Sequence, residues 1–579
     1  MKFLRKHKVL EIQSQLEYLY GSNASALLER LIMLVGRYGV GMPIPPPRQD
    51  LWSEKDAVLI TYADMVREPD KAPLRTLRDF LSRRLKGVFS TVHLLPFFPW
   101  SSDDGFSVID YRKVDSGCGT WQDVEALGRD VNLMFDLVLN HCSAKSEWFR
   151  DFITGIAPAR HYFIEADPQE DLSAVVRPRP WPLLTDTPTR DGSKWVWTTF
   201  SEDQVDLNWQ NPDVLFEFLD ILFLYVSKGM RIVRLDAIAF LWKELGTSCI
   251  HLPQTHEVVR LIRNLLEMVA PHVLVLTETN VPHEENISYF GNGDEAHMVY
   301  NFSLPPLLLH GLLKENCSTL REWATGLPEL PEDCTFFNFT ASHDGIGIRP
   351  LHGRVSDDEL TWLVEQMKSR GGKINYRSNP DGSTSPYELN ITYLDALSEP
   401  NDTTLGTQRF LCSQAVTLAF KGIPAVYINS LAGGRNHLAG VAKTGQNRTI
   451  NRQKWTLSEL EDRIDLPASI ANTVFSRITR MLKKRALHPA FHPDSPQRII
   501  PMGDRIFCLI RGSTDGPNWV LCLFNFSGKR NAVRNVISKA GLSGDFRLQD
   551  LIGRKSLDSP SSAIVLQPYQ AVWLTPQEG

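Results

Sequence analysis

Residues 230–240 read Met-Arg-Ile-Val-Arg-Leu-Asp-Ala-Ile-Ala-Phe. The stretch opens as a short run of apolar and β-branched residues and ends on a carboxylate, Asp236, just before the chain turns. Such runs, too short for a helix and flanked by amphipathic segments, are the pattern of strands buried on both faces of a parallel sheet. Seven similar runs accompany it: AVLITYA (57–63), STVHLLPF (90–97), NLMFDLVLN (132–140), VLVLTETN (273–280), MVYNFSL (298–304), TFFNFTASHD (335–344) and IPAVYIN (423–429). Amphipathic stretches at 212–227, 255–269 and 406–420 lie between several of them. Eight strands alternating with helices predict an α/β fold, a (β/α)8 TIM barrel, which needs about 250 residues before insertions.

The chain has 579 residues, too many for one core, so attachments are expected. Residues 8–38 carry leucines at helical spacing, and MPIPPP at 42–47 reads as a linker, giving an N-terminal helical extension over 1–50. The barrel takes 51–141, 209–345 and 406–490. Two intervals, 142–208 and 346–405, are too long for crossovers. Each follows a strand, so each is expected to shape the mouth where TIM-barrel sites lie. From 491 to 579 short runs such as RIFCLIRG, WVLCLFNFS, FRLQDLIG, AIVLQ and AVWLT, separated by turn residues, predict an antiparallel β domain.

Bulk properties exclude several function classes. The net charge of −5 does not favour nucleic acid or an anionic membrane as partner. No apolar stretch is long enough to span a bilayer, and the basic start lacks the apolar run of a signal peptide. The eight cysteines are scattered without metal-ligand spacing and read as free thiols, which places the protein in the cytoplasm.

Chemistry gathers at the ends of the strand-like runs. The third run carries Asp136, Asn140 and His141, the fourth Arg234 and Asp236, the fifth Glu278, and the seventh His343 and Asp344. Each alone has a bland reading: Asp236 as a helix cap, Glu278 as a solvated loop carboxylate, His343–Asp344 as a turn, His141 as a core histidine. Ends of parallel barrel strands meet in one mouth, so the carboxylates are expected to converge. Converging carboxylates suit glycosidic cleavage with retention, which uses one as nucleophile and one protonated as acid. Arg234 and Asp236, two apart on a strand, face the same way, so Arg234 holds Asp236 ionised. No such cation flanks Glu278 in the sequence. Asp236 is thus expected to attack and Glu278 to donate.

DLVLNH (136–141), MRIVRLDAIAF (230–240), VLTETN (275–280) and FFNFTASHDG (336–345) resemble the four signature regions of the α-amylase clan. LPFFPWSSDDGFSVIDY (95–111), KELGTSCIHLPQTH (243–256), SPYELNITYLDAL (385–397) and NRTINRQKW (447–455) extend the resemblance to its sucrose-phosphorylase-like branch, from about residue 50 onward. Within that branch the chain looks most like the glucosylglycerate phosphorylases, including the NPDGSTSPYELN loop.

The resemblance implies Asp236 as nucleophile, Glu278 as acid/base and Asp344 as transition-state stabiliser. It implies a glucose subsite of Asp103, Phe106, His141, Phe200, Gln204, Arg234 and His343, with Tyr387 and Glu388 binding substrate beside it. Arg448 would pair with Asp103 or contact acceptor or phosphate; Arg349, Arg377 and Lys443 are further loop cations for an anion. Glu388 stands where sucrose phosphorylases usually carry glutamine, and Ser385 and Pro386 also depart from their loop, which counts against sucrose. The implied activity is reversible phosphorolysis of 2-O-α-glucosylglycerate to α-glucose 1-phosphate and glycerate. Glucosylglycerol, sucrose 6'-phosphate or sucrose remain alternative substrates, and hydrolysis or transglucosylation a different class of outcome. Partners are small molecules (α-glucoside, inorganic phosphate, glycerate), with a homo-oligomer possible; this chemistry requires no cofactor or metal.

Overall fold

The structure is a computed structural model that describes residues 2–39, 50–379, 383–399, 402–542, 547–553, 556–557 and 563–577. The 42–47 linker, Phe546 of FRLQDLIG and the Pro380–Gly382 part of the NPDGSTSPYELN loop lie outside the described residues.

Eight parallel strands close a barrel: β1 (Val58–Thr61), β2 (Thr91–Leu94), β3 (Asn132–Val138), β4 (Met230–Asp236), β5 (Leu274–Thr277), β6 (Met298–Tyr300), β7 (Thr335–Asn338) and β8 (Ile423–Tyr427). They follow one another around the barrel in chain order, and β1 closes the ring by pairing with both β2 and β8. Each lies within one of the eight apolar runs of the sequence. The strands are buried along almost their whole length, which is why they read as continuous apolar runs and not as alternating ones.

Two registers matter for function. Asp136 on β3 stands level with Arg234 on β4, and Val138 with Asp236, so the polar residues of neighbouring strands meet near their carboxyl ends. Glu278 follows the end of β5 and is fixed by its N–H, which donates to the Leu235 carbonyl (3.1 Å).

The amino-terminal segment, read as helical over 8–38, is helical in two pieces. It forms two helices, α1 (Lys2–Tyr20) and α2 (Ala24–Gly39), because Gly21 takes a positive φ of 63° and a short turn over Gly21–Asn23 redirects the chain. The leucine spacing continues through that break, so periodicity alone does not reveal it. α2 covers the outer face of α3 (Pro212–Ser227), a helix with apolar residues on nearly every side. Arg30 pairs with Asp213 and its guanidinium lies 4.1 Å from the Phe216 ring; Arg37 pairs with Asp220 (2.9 Å). α1 lies along α4 (Pro253–Val269), where the Gln15 side chain accepts from Asn264. The extension therefore packs on the barrel's own helices.

The interval after β3 contains a hairpin, Leu184–Thr189 with Gly192–Trp197, and the pair His141–Ser143 with Gln204–Asp206. The interval after β7 contains the helix Asp357–Ser369 and a small sheet of Ile346–Gly347, Thr384–Asn390 and Lys373–Ser378. Beyond the barrel a six-stranded antiparallel sheet runs through Ile506–Gly512, Trp519–Asn525 and Ala571–Pro576. The cysteines are all free thiols. No helix among the described residues is long and apolar enough to cross a membrane.

Candidate active site

A cavity opens at the carboxyl ends of the barrel strands, roofed by the intervals after β3 and β7. Asp103, Phe106, His141, Phe200, Gln204, Asp236, Glu278, His343, Asp344, Tyr387, Glu388 and Arg448 all line it. Arg234 lies beneath the lining, 2% exposed. Of the loop cations, Arg349 and Arg377 face the cavity and Lys443 is not among its lining residues.

The floor is an ion-pair lattice. Arg234 contacts Asp136 and Asp236 through the same terminal nitrogen, and His93 Nε2 lies 2.6 Å from the far oxygen of Asp136. A guanidinium buried this deeply costs several kcal/mol to desolvate, and it survives because carboxylates surround it. Its other terminal nitrogen reaches Glu278 at 3.8 Å. This corrects the sequence expectation that no cation flanks Glu278: the two carboxylates share one arginine, and they differ in how closely it approaches. The contact with Asp236 is direct and the one with Glu278 long.

Burial pushes the Asp236 carboxyl up to about 8, with Arg234 opposing and the Glu278 and Asp136 charges adding to the rise. Burial also raises Glu278, against Arg234, with Asp344 adding to it. The two titrate as one pair that holds a proton near neutrality. Arg234 sits against Asp236, so the negative charge is better placed there and the proton on Glu278.

The backbone after Asp236 is locally strained. Ala237 adopts φ 50°, a left-handed conformation uncommon for a residue with a side chain, and its N–H donates to Glu278 Oε2 at 3.1 Å. Asp103, which lines the cavity, and its neighbour Asp104 are also left-handed, at φ 51° and 49°. Arg452 bridges them from below, 3.2 Å from Asp103 and 2.8 Å from Asp104, and its Nε donates to the His343 carbonyl.

Sequence reasoning does not single out Arg452. It approaches Asp103 more closely than Arg448 does, so Asp103 is shared by two arginines. Arg448 lies 3.7 Å from Asp103 but 2.6 Å from Asp344 and 3.0 Å from Glu388. The spacing Arg448-x-x-x-Arg452, one helical turn apart within the NRTINRQKW run, is the signal that could have found it.

Rings complete the inner wall. Phe106 stacks on His343 at 4.6 Å with planes 6° apart, and Phe200 leans on His141 at 5.1 Å. His141 Nε2 lies 3.0 Å from the Phe106 carbonyl and 3.2 Å from the Gln204 amide. Burial lowers the pKa of both histidines, so both rings are neutral donors or acceptors here and not charges.

Glu388 is 1% exposed and fully engaged. It accepts from the Gly345 N–H (2.9 Å), the Asn375 amide (2.9 Å) and Arg448, and Arg179 stands 3.9 Å away. Burial alone would raise its pKa; Arg448 and Arg179 more than offset that and hold it low, as a carboxylate. Gly345 must be glycine, since a Cβ there would lie 2.6 Å from Glu388 Cγ and from the Leu389 carbonyl.

A bulge sets this corner. Asn375 pairs with Glu388 but Tyr376 pairs with Pro386, leaving Tyr387 as the extra residue. Consecutive strand residues normally face opposite ways, and the bulge lets Tyr387 and Glu388 both face the cavity. Arg177 and Arg179, from the RPRP stretch after β3, also line the cavity and escape sequence reasoning, although two arginines in a Pro-rich roof segment are a visible hint. Among the described residues no cluster of histidine, cysteine and carboxylate side chains suits a metal ion.

Comparison with known proteins identifies the family. The α-amylase catalytic-domain family matches residues 85–344. A glucosylglycerate phosphorylase of Allomeiothermus silvanus is 46% identical over 567 residues, covering 97% of this chain and 98% of that protein. A glucosylglycerate phosphorylase of Escherichia coli is 45% identical over 569 residues, covering 97% and 99%. Among solved structures, a sucrose 6F-phosphate phosphorylase from Thermoanaerobacter thermosaccharolyticum superposes with a TM-score of 0.71 at 24% identity, over 84% of this chain and 96% of that one, which supports the fold. With near-complete coverage at this identity, the chain belongs to the α-amylase family, on the branch that holds the glucosylglycerate phosphorylases.

Proposed function

We propose that this protein is a retaining glycoside phosphorylase that converts 2-O-α-glucosylglycerate and phosphate reversibly into α-glucose 1-phosphate and glycerate. The carrying observation is the pair Asp236–Glu278 unequally shared by Arg234, inside a chain that matches glucosylglycerate phosphorylases along 97% of its length.

In the first half-reaction an Asp236 oxygen attacks the anomeric carbon, the glycosidic bond breaks, and the proton on Glu278 passes to the departing O2 of glycerate. A β-glucosyl ester on Asp236 results. In the second, a phosphate oxygen attacks the same carbon from the vacated side, the ester bond breaks, and the phosphate proton passes to Glu278. Asp344 holds sugar hydroxyls and grips them harder in the transition state. Its partner Arg448 lies 2.6 Å from one of its oxygens. Phe106, His141, Phe200, Gln204 and His343 wall the glucose, while Asp103, held by Arg452, closes its far side.

Phosphate must enter a site already rich in carboxylates, so cations have to compensate. Arg448 and Arg179, both beside Glu388, support that reading. We take the domain limits to be those read from the sequence, with the two roof segments supplying Arg179, Tyr387 and Glu388 to a site whose carboxylates Asp236 and Glu278 come from the barrel. A cytoplasmic location fits the eight free thiols. The exposed apolar residues Leu10, Tyr18, Ile32 and Met33 of α1 and α2 fit a homo-oligomer.

The test is phosphate release from α-glucose 1-phosphate with glycerate, glycerol, fructose or fructose 6-phosphate offered separately. Fast release with glycerate alone is expected. A preference for another acceptor keeps the double displacement and replaces the substrate, while equal release with no acceptor makes water the partner.

A further inference from the structure

We propose that Arg349 and Arg377 form the subsite for the carboxylate of the acceptor, and so set the choice of an acidic acceptor over a neutral one. This rests on the glucosylglycerate reading and deepens it.

The inner arginines are already matched. Arg234 is held by Asp136 and Asp236, Arg452 by Asp103 and Asp104, and Arg448 by Asp344 and Glu388. Arg349 and Arg377 line the same cavity and are not. Among the described residues neither makes an ion pair. The Nε of Arg377 donates to Ser385 Oγ at 3.1 Å, which orients the guanidinium, and among the described residues neither terminal nitrogen has a hydrogen-bond partner. Arg349 makes no side-chain hydrogen bond there.

Their placement is built. Arg377 stands opposite Ser385 in the hairpin, and Arg349 opens the turn Arg349–Leu351 just after the strand Ile346–Gly347. The hairpin and the strand Ile346–Gly347 that leads into this turn belong to the three-stranded sheet that carries Glu388, whose Cα partner on the neighbouring strand is Gly347. Arg377 is therefore on the same sheet as the carboxylate that holds Arg448, and Arg349 follows two residues after one of its strands.

Burial lowers the Arg377 pKa and the Arg349 charge lowers it further, as expected of two like charges close together without a counter-ion. Such an arrangement opposes itself until an anion arrives, and a planar guanidinium pair matches the two oxygens of a carboxylate. In glucosylglycerate the carboxylate is bonded to the very carbon that carries the glycosidic oxygen. A site for it must lie in the same cavity as Glu278, one carbon beyond the oxygen that Glu278 protonates. Glycerol offers a hydroxymethyl group at that position, which gains little from two cations.

The experiment uses the full chain with α-glucose 1-phosphate as donor, and compares kcat/KM for glycerate with kcat/KM for glycerol. In Arg349→Gln and Arg377→Gln the glycerate-to-glycerol ratio is expected to fall on the order of ten- to a hundredfold, mostly through the KM for glycerate, as for loss of a charged hydrogen bond. Arg349→Lys and Arg377→Lys recover part of the ratio, because charge without the fork is the weaker partner. Transfer to glycerol reports that a variant is folded; should a glutamine variant lose it, the lysine variants carry the comparison.

A ratio within twofold of the unsubstituted protein overturns the proposal. So does a loss that appears in the KM for phosphate and spares glycerate, which would make the pair a phosphate site. If the unsubstituted protein does not transfer to glycerate, the substrate reading itself is what fails.

Discussion

The cations at the bottom of the cavity and those at its mouth are built on opposite plans. Arg234 is 2% exposed and wedged between Asp136 and Asp236; Arg349 and Arg377 are half-buried and, among the described residues, unmatched by carboxylates. The first plan fixes protonation states: an arginine that cannot leave its carboxylates decides which of them is charged. The second plan leaves charge available for a ligand that arrives and departs. An enzyme whose reaction exchanges one anion for another needs both, because a saturated cation cannot greet an anion and an unmatched one cannot anchor a buried nucleophile.

The largest expected effect lies at the bottom. Asp236→Asn removes the group proposed to carry the glucosyl ester while keeping its shape. Transfer from α-glucose 1-phosphate to any acceptor should fall on the order of 10⁴- to 10⁶-fold in kcat, the scale seen when a covalent nucleophile is deleted. Initial-rate measurements with both glycerate and glycerol decide the matter. A loss confined to glycerate would move Asp236 to the mouth side of the comparison and end its role as nucleophile.

Stability separates the two plans next. Arg234→Met fills the space but leaves Asp136 and Asp236 buried without a counter-charge, which should cost about 3–5 kcal/mol. Arg349→Gln relieves a like-charge approach at a half-exposed site and should change stability by less than about 0.5 kcal/mol. Urea denaturation of both variants beside the unsubstituted chain measures the contrast. Equal midpoints for the two would mean that the buried lattice contributes no more than the surface does.

Much of this is legible in the sequence, for a physical reason. A strand buried on both faces leaves a continuous apolar run, and the residue at its end faces the mouth by the geometry of the barrel. That rule alone places Asp236, Glu278 and His343–Asp344 around one opening. The roof lacks such a rule. Arg179 and Arg349 sit in irregular segments where no periodicity reports direction, and the shared facing of Tyr387 and Glu388 depends on a bulge that strict alternation would deny. Arg452 escapes for a different reason: its role depends on Asp103 and Asp104, about 350 positions away in the chain, which it meets only because β1 and β8 close the barrel. The break at Gly21 is hidden by leucines that keep their spacing across it.

The smallest expected effect is also the finest test, because it asks whether protonation is governed only from the bottom. The proposed acid must hold its proton, so kcat/KM falls once the Asp236–Glu278 pair gives that proton up. Folding raises the pair, with burial pushing Asp236 up to about 8. The alkaline limb of kcat/KM should therefore lie well above the range of an ordinary carboxylate and fall about tenfold per further pH unit. The linkage to stability has the same sign: a carboxyl raised by folding favours the folded state at low pH, and that contribution is lost as pH rises through the raised value. After burial, the strongest influences on Glu278 include Arg234, Asp344 and Arg448, all at the bottom or beside it. Arg377→Gln should consequently lower the whole profile for glycerate without moving its alkaline limb, whereas Arg448→Gln, by removing a nearby positive charge, should move the limb upward. A limb that shifts in Arg377→Gln and stays in Arg448→Gln would show that the mouth cations tune the catalytic proton, and the division between the two plans would fall.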